Sequence, residues 1–113
     1  MKGMYDILRL ANSYVKITDD QFSVCARTFI PKDGLIEVCP LIELVGTPRD
    51  TFVFEHLISD GYNTYLPTGN YQLYNTLDVQ NGKPNAYYEI AEGFLLIKAT
   101  QPIIEGQEII LIE

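Results

Sequence analysis

Tryptophan is absent from this 113-residue chain, histidine occurs once, cysteine twice, and no apolar run approaches the length of a membrane span. Each shortage excludes something. A spanning helix needs about 20 consecutive apolar residues, so no span is expected. Structural zinc needs four ligands. Cys25 and Cys39 lack CxxC spacing and His56 stands alone, so no metal site is expected, and the two cysteines read as buried free thiols. Basic residues are scarce as well: eight Lys and Arg against fifteen Asp and Glu give a net charge of −7. An acidic surface without clustered cations repels a phosphate backbone, which argues against a nucleic-acid partner. It suits a basic or lysine-containing protein or peptide, although solubility is the commoner reason for such acidity. In the first sixteen residues Asp6 and Arg9 interrupt any apolar signal-peptide core. An intracellular, soluble protein with no membrane association is therefore expected.

What is present is a hydrophobic content of 47%, enough for one folded domain spanning 1–113. Its apolar residues come in short runs. Phe22, Val24 and Ala26 alternate with Ser23, Cys25 and Arg27, the period of a half-buried strand. Leu35 to Cys39, closed by Pro40, and Leu41 to Val45 read as two further strands. Tyr87 to Ile90 and Phe94 to Ile97, joined by Ala91-Glu92-Gly93, read as a hairpin. Gln107 to Glu113 reads as a final strand. Only Phe52, Val53, Phe54, Leu57 and Ile58 carry helical spacing, for a short helix near 51–59. Seven to nine short strands with almost no helix define a mostly β fold of several small twisted sheets.

Two stretches stand out. Residues 26–37 and 99–110 echo one another: each runs from Ala through isoleucine and an acidic residue to Gly and into an apolar strand. Each reads as a strand, a turn using glycine's positive φ, and a return strand. The other stretch, Gly69 to Glu89, holds four of the eight tyrosines together with asparagines, glycines and a proline. It is too polar for a core helix and too aromatic for an idle linker, which makes it the candidate functional segment.

In order along the chain, Val24-Cys25-Ala26-Arg27, then Ile30-Pro31-Lys32 with Gly34, Ile36 and Glu37, resemble the first block of the SET domain family. The run Gly69 to Asn75, Pro84-Asn85-Ala86, and Ala99 with Ile103, Gly106, Glu108 and Ile109 resemble its later blocks. The short single-domain form is similar to viral SET proteins. The resemblance implies a β-clip fold whose C-terminal segment forms a pseudoknot against the residues near Asn75. It also implies protein-lysine methylation with S-adenosylmethionine as cofactor, contacted by Phe22, Ser23, Asn75 and Thr76. Tyr87 and Glu113 fall to the lysine-bearing substrate. Three departures weigh against full activity: Gln21-Phe22-Ser23 replaces the family's GxG, Thr76 its histidine, and Glu113 its terminal tyrosine. Tyr74 or Tyr71 would have to supply the catalytic hydroxyl, although packing is the commoner role of such rings, and Asn75 and Asn85 equally suit turns. Three functions follow: a SET-like pseudoenzyme with weak or lost catalysis and a protein-binding role; an active methyltransferase using a non-standard tyrosine; or another β-clip domain, of SAF type, for a small molecule. A homodimer would complete a site that lacks flanking modules.

Overall fold

The computed structural model describes residues 11–44, 57–59, 61–76 and 83–112. Among these residues nine strands carry the fold: β1 Ser13–Thr18, β2 Gln21–Ala26, β3 Leu35–Leu44, β4 Ile58–Ser59, β5 Thr64–Pro67, β6 Asn75–Thr76, β7 Ala86–Ala91, β8 Phe94–Ala99 and β9 Ile110–Leu111. The only described helical turn is a 3-10 turn at Tyr71–Leu73. β1 and β2 form a two-stranded sheet, and the other seven follow the order β4-β5-β3-β8-β7-β9-β6. The mostly β reading holds. Residues 51–56 of the expected helix, and His56 with them, lie outside the described residues. Ile58 and Ser59, at its end, pair with Tyr65 and Thr64 as a strand.

The strands read as Leu35–Cys39 and Leu41–Val45 are one continuous β3 as far as Leu44. Its first part pairs with β8 and its second, from Leu41, with β5. Pro40 sits at the changeover, where its missing N–H interrupts neither ladder.

The sequence echo is the visible part of a longer duplication. The β1–β2 hairpin and the β7–β8 hairpin superpose in register at a constant shift of 73 positions: Ser13↔Ala26 and Ala86↔Ala99 begin the two ladders. Both turn on two residues with positive φ, Asp19 (48°) with Asp20 (65°) and Glu92 (49°) with Gly93 (86°). Such pairs make the tight turn whose twist matches a hairpin. The same shift carries Asn12 to Asn85, Ile30 to Ile103 and Ile36 to Ile109, with no insertion between.

The two units grip each other reciprocally. Ile30 and Ile103 exchange backbone hydrogen bonds, 2.8 Å each way. Ala99 donates to Gly34 (3.0 Å) and accepts from Asp33 (2.8 Å), while Ala26 donates to Gln107 (2.9 Å) and accepts from Gly106 (2.8 Å). Asn12 and Asn85 each send a side-chain N–H to the strand after the hook, at Leu35 O (3.0 Å) and Glu108 O (2.9 Å). The core sits on this pseudo-twofold axis: Ala26, Ile30, Ile36, Ala99, Ile103 and Ile109 are all buried. One expectation needs correcting. In the first hook the positive φ belongs to Asp33 (63°), not to Gly34. Gly34 is required for a different reason, because a Cβ there would lie 2.8 Å from Pro31 O.

The chain closes by inserting β9 between β7 and β6. Ile110 and Leu111 run parallel to Asn75 and Thr76, and Leu111 also pairs with Ala86. The last strand therefore lies against the residues around Asn75, as the pseudoknot expectation requires.

Candidate functional site

Asn75 enters β6 directly after the 3-10 turn, and its side chain joins three segments of the chain. Its amide nitrogen donates to Phe22 O on β2 (3.2 Å) and to Glu108 Oε2 ahead of β9 (2.8 Å). Both amide hydrogens are thereby used. Around this junction lies an open cleft of about 350 Å³, lined by Thr18, Asp19, Gln21, Phe22, Ser23, Asn75 and Glu108. Two of these are acidic and none is basic, so the cleft suits a cation.

The hairpin explains why backbone groups face the cleft. Thr18 and Gln21 flank a two-residue turn and form a hydrogen-bonded pair, so the next pair, Ile17↔Phe22, is non-hydrogen-bonded. The N–H and C=O of Phe22 therefore point away from β1. Asn75 occupies one lone pair of that carbonyl. The side chains of Ile17 and Phe22 share one face of the hairpin tip and are 67% and 48% exposed.

Behind the cleft lies a buried polar cluster. Glu37, only 4% exposed, accepts from the Tyr74 hydroxyl at Oε1 (2.5 Å) and from Asn70 N–H at Oε2 (2.9 Å). Tyr74 has one hydroxyl proton and gives it to the carboxylate, so Ser13 Oγ must donate to Tyr74 (3.1 Å). The Cys39 thiol lies close enough to feel the Glu37 charge. Burial, then the Glu37 charge and its hydrogen bond, push the Tyr74 hydroxyl and the Cys39 thiol far above their usual ranges. Both cysteines are free and buried. Gly69 makes the cluster possible: its φ is +71°, and a Cβ would come within 2.8 Å of Glu37 Oε2.

The structure brings Phe22, Ser23 and Asn75 together in the cleft. Thr76 sits beside them on β6 but pairs with Leu111 and does not line the cleft. Tyr74 faces the interior, bonded to Glu37 and Ser13, so the catalytic role expected of it does not fit this placement. Nor does that role fit Tyr71, whose ring meets Tyr88 edge to face at 6.0 Å outside the cleft. Tyr87 donates to Asp33 (3.2 Å) across the hook, also away from the cleft lining. Glu113 lies outside the described residues. Sequence reading missed Asp19 and Glu108 as site residues. Glu108 was readable from the duplication, because its mate at a shift of 73 is the apolar Leu35, and a carboxylate there marks a break in the repeat.

This arrangement of two interlocked hooks closed by a parallel C-terminal strand is a SET-like fold. A protein of Plasmodium falciparum assigned as a histone methyltransferase matches it with a TM-score of 0.75 at 25% identity, over 90% of this chain and 92% of that one. The methyltransferase domain of human PR domain-containing protein 2 matches with a TM-score of 0.57 at 12% identity, over 96% and 83%. Both carry names of methyltransferases. No family model matches the sequence, and no curated protein matches it. Among the described residues no helix is long and apolar enough to cross a membrane.

Proposed function

We propose that this is a SET-fold binding module in which methyl transfer is weak or lost, and that the cleft beside Asn75 is its binding site. The observation that carries the reading is the composition of the cleft. Acidic and backbone groups line it, and no tyrosine hydroxyl does among the described residues. Lysine methylation requires a pocket that positions and desolvates a neutral amine for in-line attack. Tyr74, the ring next to Asn75, is committed to Glu37 instead.

The structural neighbours imply S-adenosylmethionine as a ligand, which when bound supplies an activated methyl group. Its methionine end fits the residues present. Asp19 and Glu108 complement an ammonium and a sulfonium, and the outward N–H of Phe22 suits a carboxylate. Asn75 would hold the wall of that site by tying β2, β6 and Glu108 together. The same acidity favours a basic, lysine-containing protein as partner.

Calorimetric titration of S-adenosylmethionine, run beside a labelled-methyl transfer assay on lysine-rich peptides, tests the proposal. Binding with little or no transfer is expected. Efficient transfer would replace this reading with that of an active enzyme using an unforeseen hydroxyl. Asn75→Ala should weaken cofactor binding roughly tenfold or more while the protein stays folded, since it removes two hydrogen bonds that shape the wall. Unchanged binding would place the pocket elsewhere.

A further inference from the structure

Tyr74 and Asn75 are neighbours that face opposite ways. Tyr74 is extended (φ −72°, ψ 131°), so its ring points into the core while the next side chain points out to the cleft. Whatever fixes Tyr74 therefore aims Asn75. Packing alone does not fix the 3-10 turn before them, since none of Tyr71–Leu73 is buried. Glu37 holds that turn at both ends. Its Oε2 accepts from Asn70 N–H ahead of the turn (2.9 Å) and its Oε1 from the Tyr74 hydroxyl after it. The seat is close: a Cβ on Gly69 would lie 2.8 Å from Glu37 Oε2 and 3.2 Å from Cys39 Sγ. Beyond the turn, β6 has only two residue pairs with β9 to hold it.

The duplication shows that the fold does not ask for this carboxylate. At the shift of 73 positions the mate of Glu37 is Ile110, and the mate of Ser13, which donates to Tyr74, is Ala86. Both mates are apolar and buried. In the unit that faces the turn the same two places carry a carboxylate and a hydroxyl, and among the described residues no cation is hydrogen-bonded to the carboxylate. Burying such a charge costs stability that an apolar side chain does not. We infer that Glu37 is a positioning residue for the cleft. By clasping the 3-10 turn at both ends it holds Tyr74 inward and Asn75 outward, with the Asn75 amide aimed at Phe22 O and Glu108 Oε2. This rests on the reading of the cleft as the binding site, and it places control of ligand affinity in a side chain that does not line the cleft.

Two variants open the clasp. Tyr74→Phe frees its far end, and Glu37→Gln sets an amide donor against one of the two donors it now accepts from. Ile103→Val, in the core between the hooks, is the control that lowers stability and leaves the clasp intact. Amide spectra of the full chain without ligand read the side-chain N–H pair of Asn75, identified by its loss in Asn75→Asp. Calorimetric titration of S-adenosylmethionine reads the cleft. Both clasp variants should move the Asn75 pair and weaken binding roughly tenfold or more. Ile103→Val should leave the pair in place and the affinity within about twofold. If Tyr74→Phe does not fold, Glu37→Gln, which keeps the ring, carries the same comparison. An Asn75 pair that stays put in folded clasp variants, or an affinity that merely follows stability in all three proteins, overturns the positioning role. Wild-type protein that takes no S-adenosylmethionine overturns the proposed function instead. The Asn75 pair then decides on Glu37 by itself: movement in the clasp variants upholds its role, and none refutes it.

Discussion

At the scale of single residues, Glu37 governs the floor behind the cleft. Among the described residues its hydrogen-bond donors are neutral: the Tyr74 hydroxyl and the Asn70 N–H. Buried charges persist when hydrogen bonds satisfy them, and removing one partner exposes the cost of burial. Tyr74→Phe should therefore lower stability by about 1–3 kcal/mol in urea unfolding, since it strips a donor from Glu37 and an acceptor from Ser13. The same cluster fixes the response to alkali. In the folded protein Tyr74 and Cys39 stay neutral well beyond their ordinary values of 10.0 and 9.0, while in the unfolded chain both ionise there. Above about pH 9 the unfolded state thus binds fewer protons than the native state, and stability falls as pH rises. Below that range these two groups contribute no pH dependence. Melting temperatures between pH 8 and 11 should show the decline, with a shallower slope in Tyr74→Phe. Gly69→Ala combines a left-handed backbone with a Cβ 2.8 Å from Glu37 Oε2. It should cost more than about 1 kcal/mol by the same unfolding measurement.

Hairpins and hooks were the elements easiest to read. Short strand-forming runs on either side of Glu92-Gly93 mark β7 and β8, and the Ala-Ile-acid-Gly echo marks both hooks, because strand-forming runs and turn chemistry are local properties. Three features were not legible. Asp19 and Asp20 form a turn with two positive φ values that the sequence announces only as a polar cluster. Pro40 looks like a strand end and is a changeover between partners, a matter of tertiary pairing. Tyr74 looks like a ligand contact until Glu37, which is distant in sequence, is placed beside it. The strained turn carries a test. Asp20→Gly should stabilise the protein by up to about 1 kcal/mol in thermal or urea unfolding, because glycine adopts that backbone without a Cβ penalty.

For the molecule as a whole, the reciprocal bonds between Ala26 and Gly106–Gln107, and between Ala99 and Asp33–Gly34, make each unit half of the other's structure. Neither unit can bury its isoleucines alone. A peptide of residues 12–37 should show no stable strand signal by circular dichroism or amide dispersion, whereas one containing both units should fold cooperatively. Because those pairings lie 65 to 81 positions apart, their loop closure is costly, and refolding should take milliseconds to seconds in stopped-flow fluorescence of the tyrosines.

The insertion of β9 between β6 and β7 has a mechanical consequence. A force drawing Leu111 along its own axis loads the parallel pairings to Asn75–Thr76 and to Ala86 together, in shear. Parallel neighbours on both sides cannot be unzipped one bond at a time by such a pull. Tension applied along this strand reaches Thr76 and Ala86 through Leu111 and then Asn75 through Ile110, so the strand that closes the fold also transmits load to the wall of the cleft.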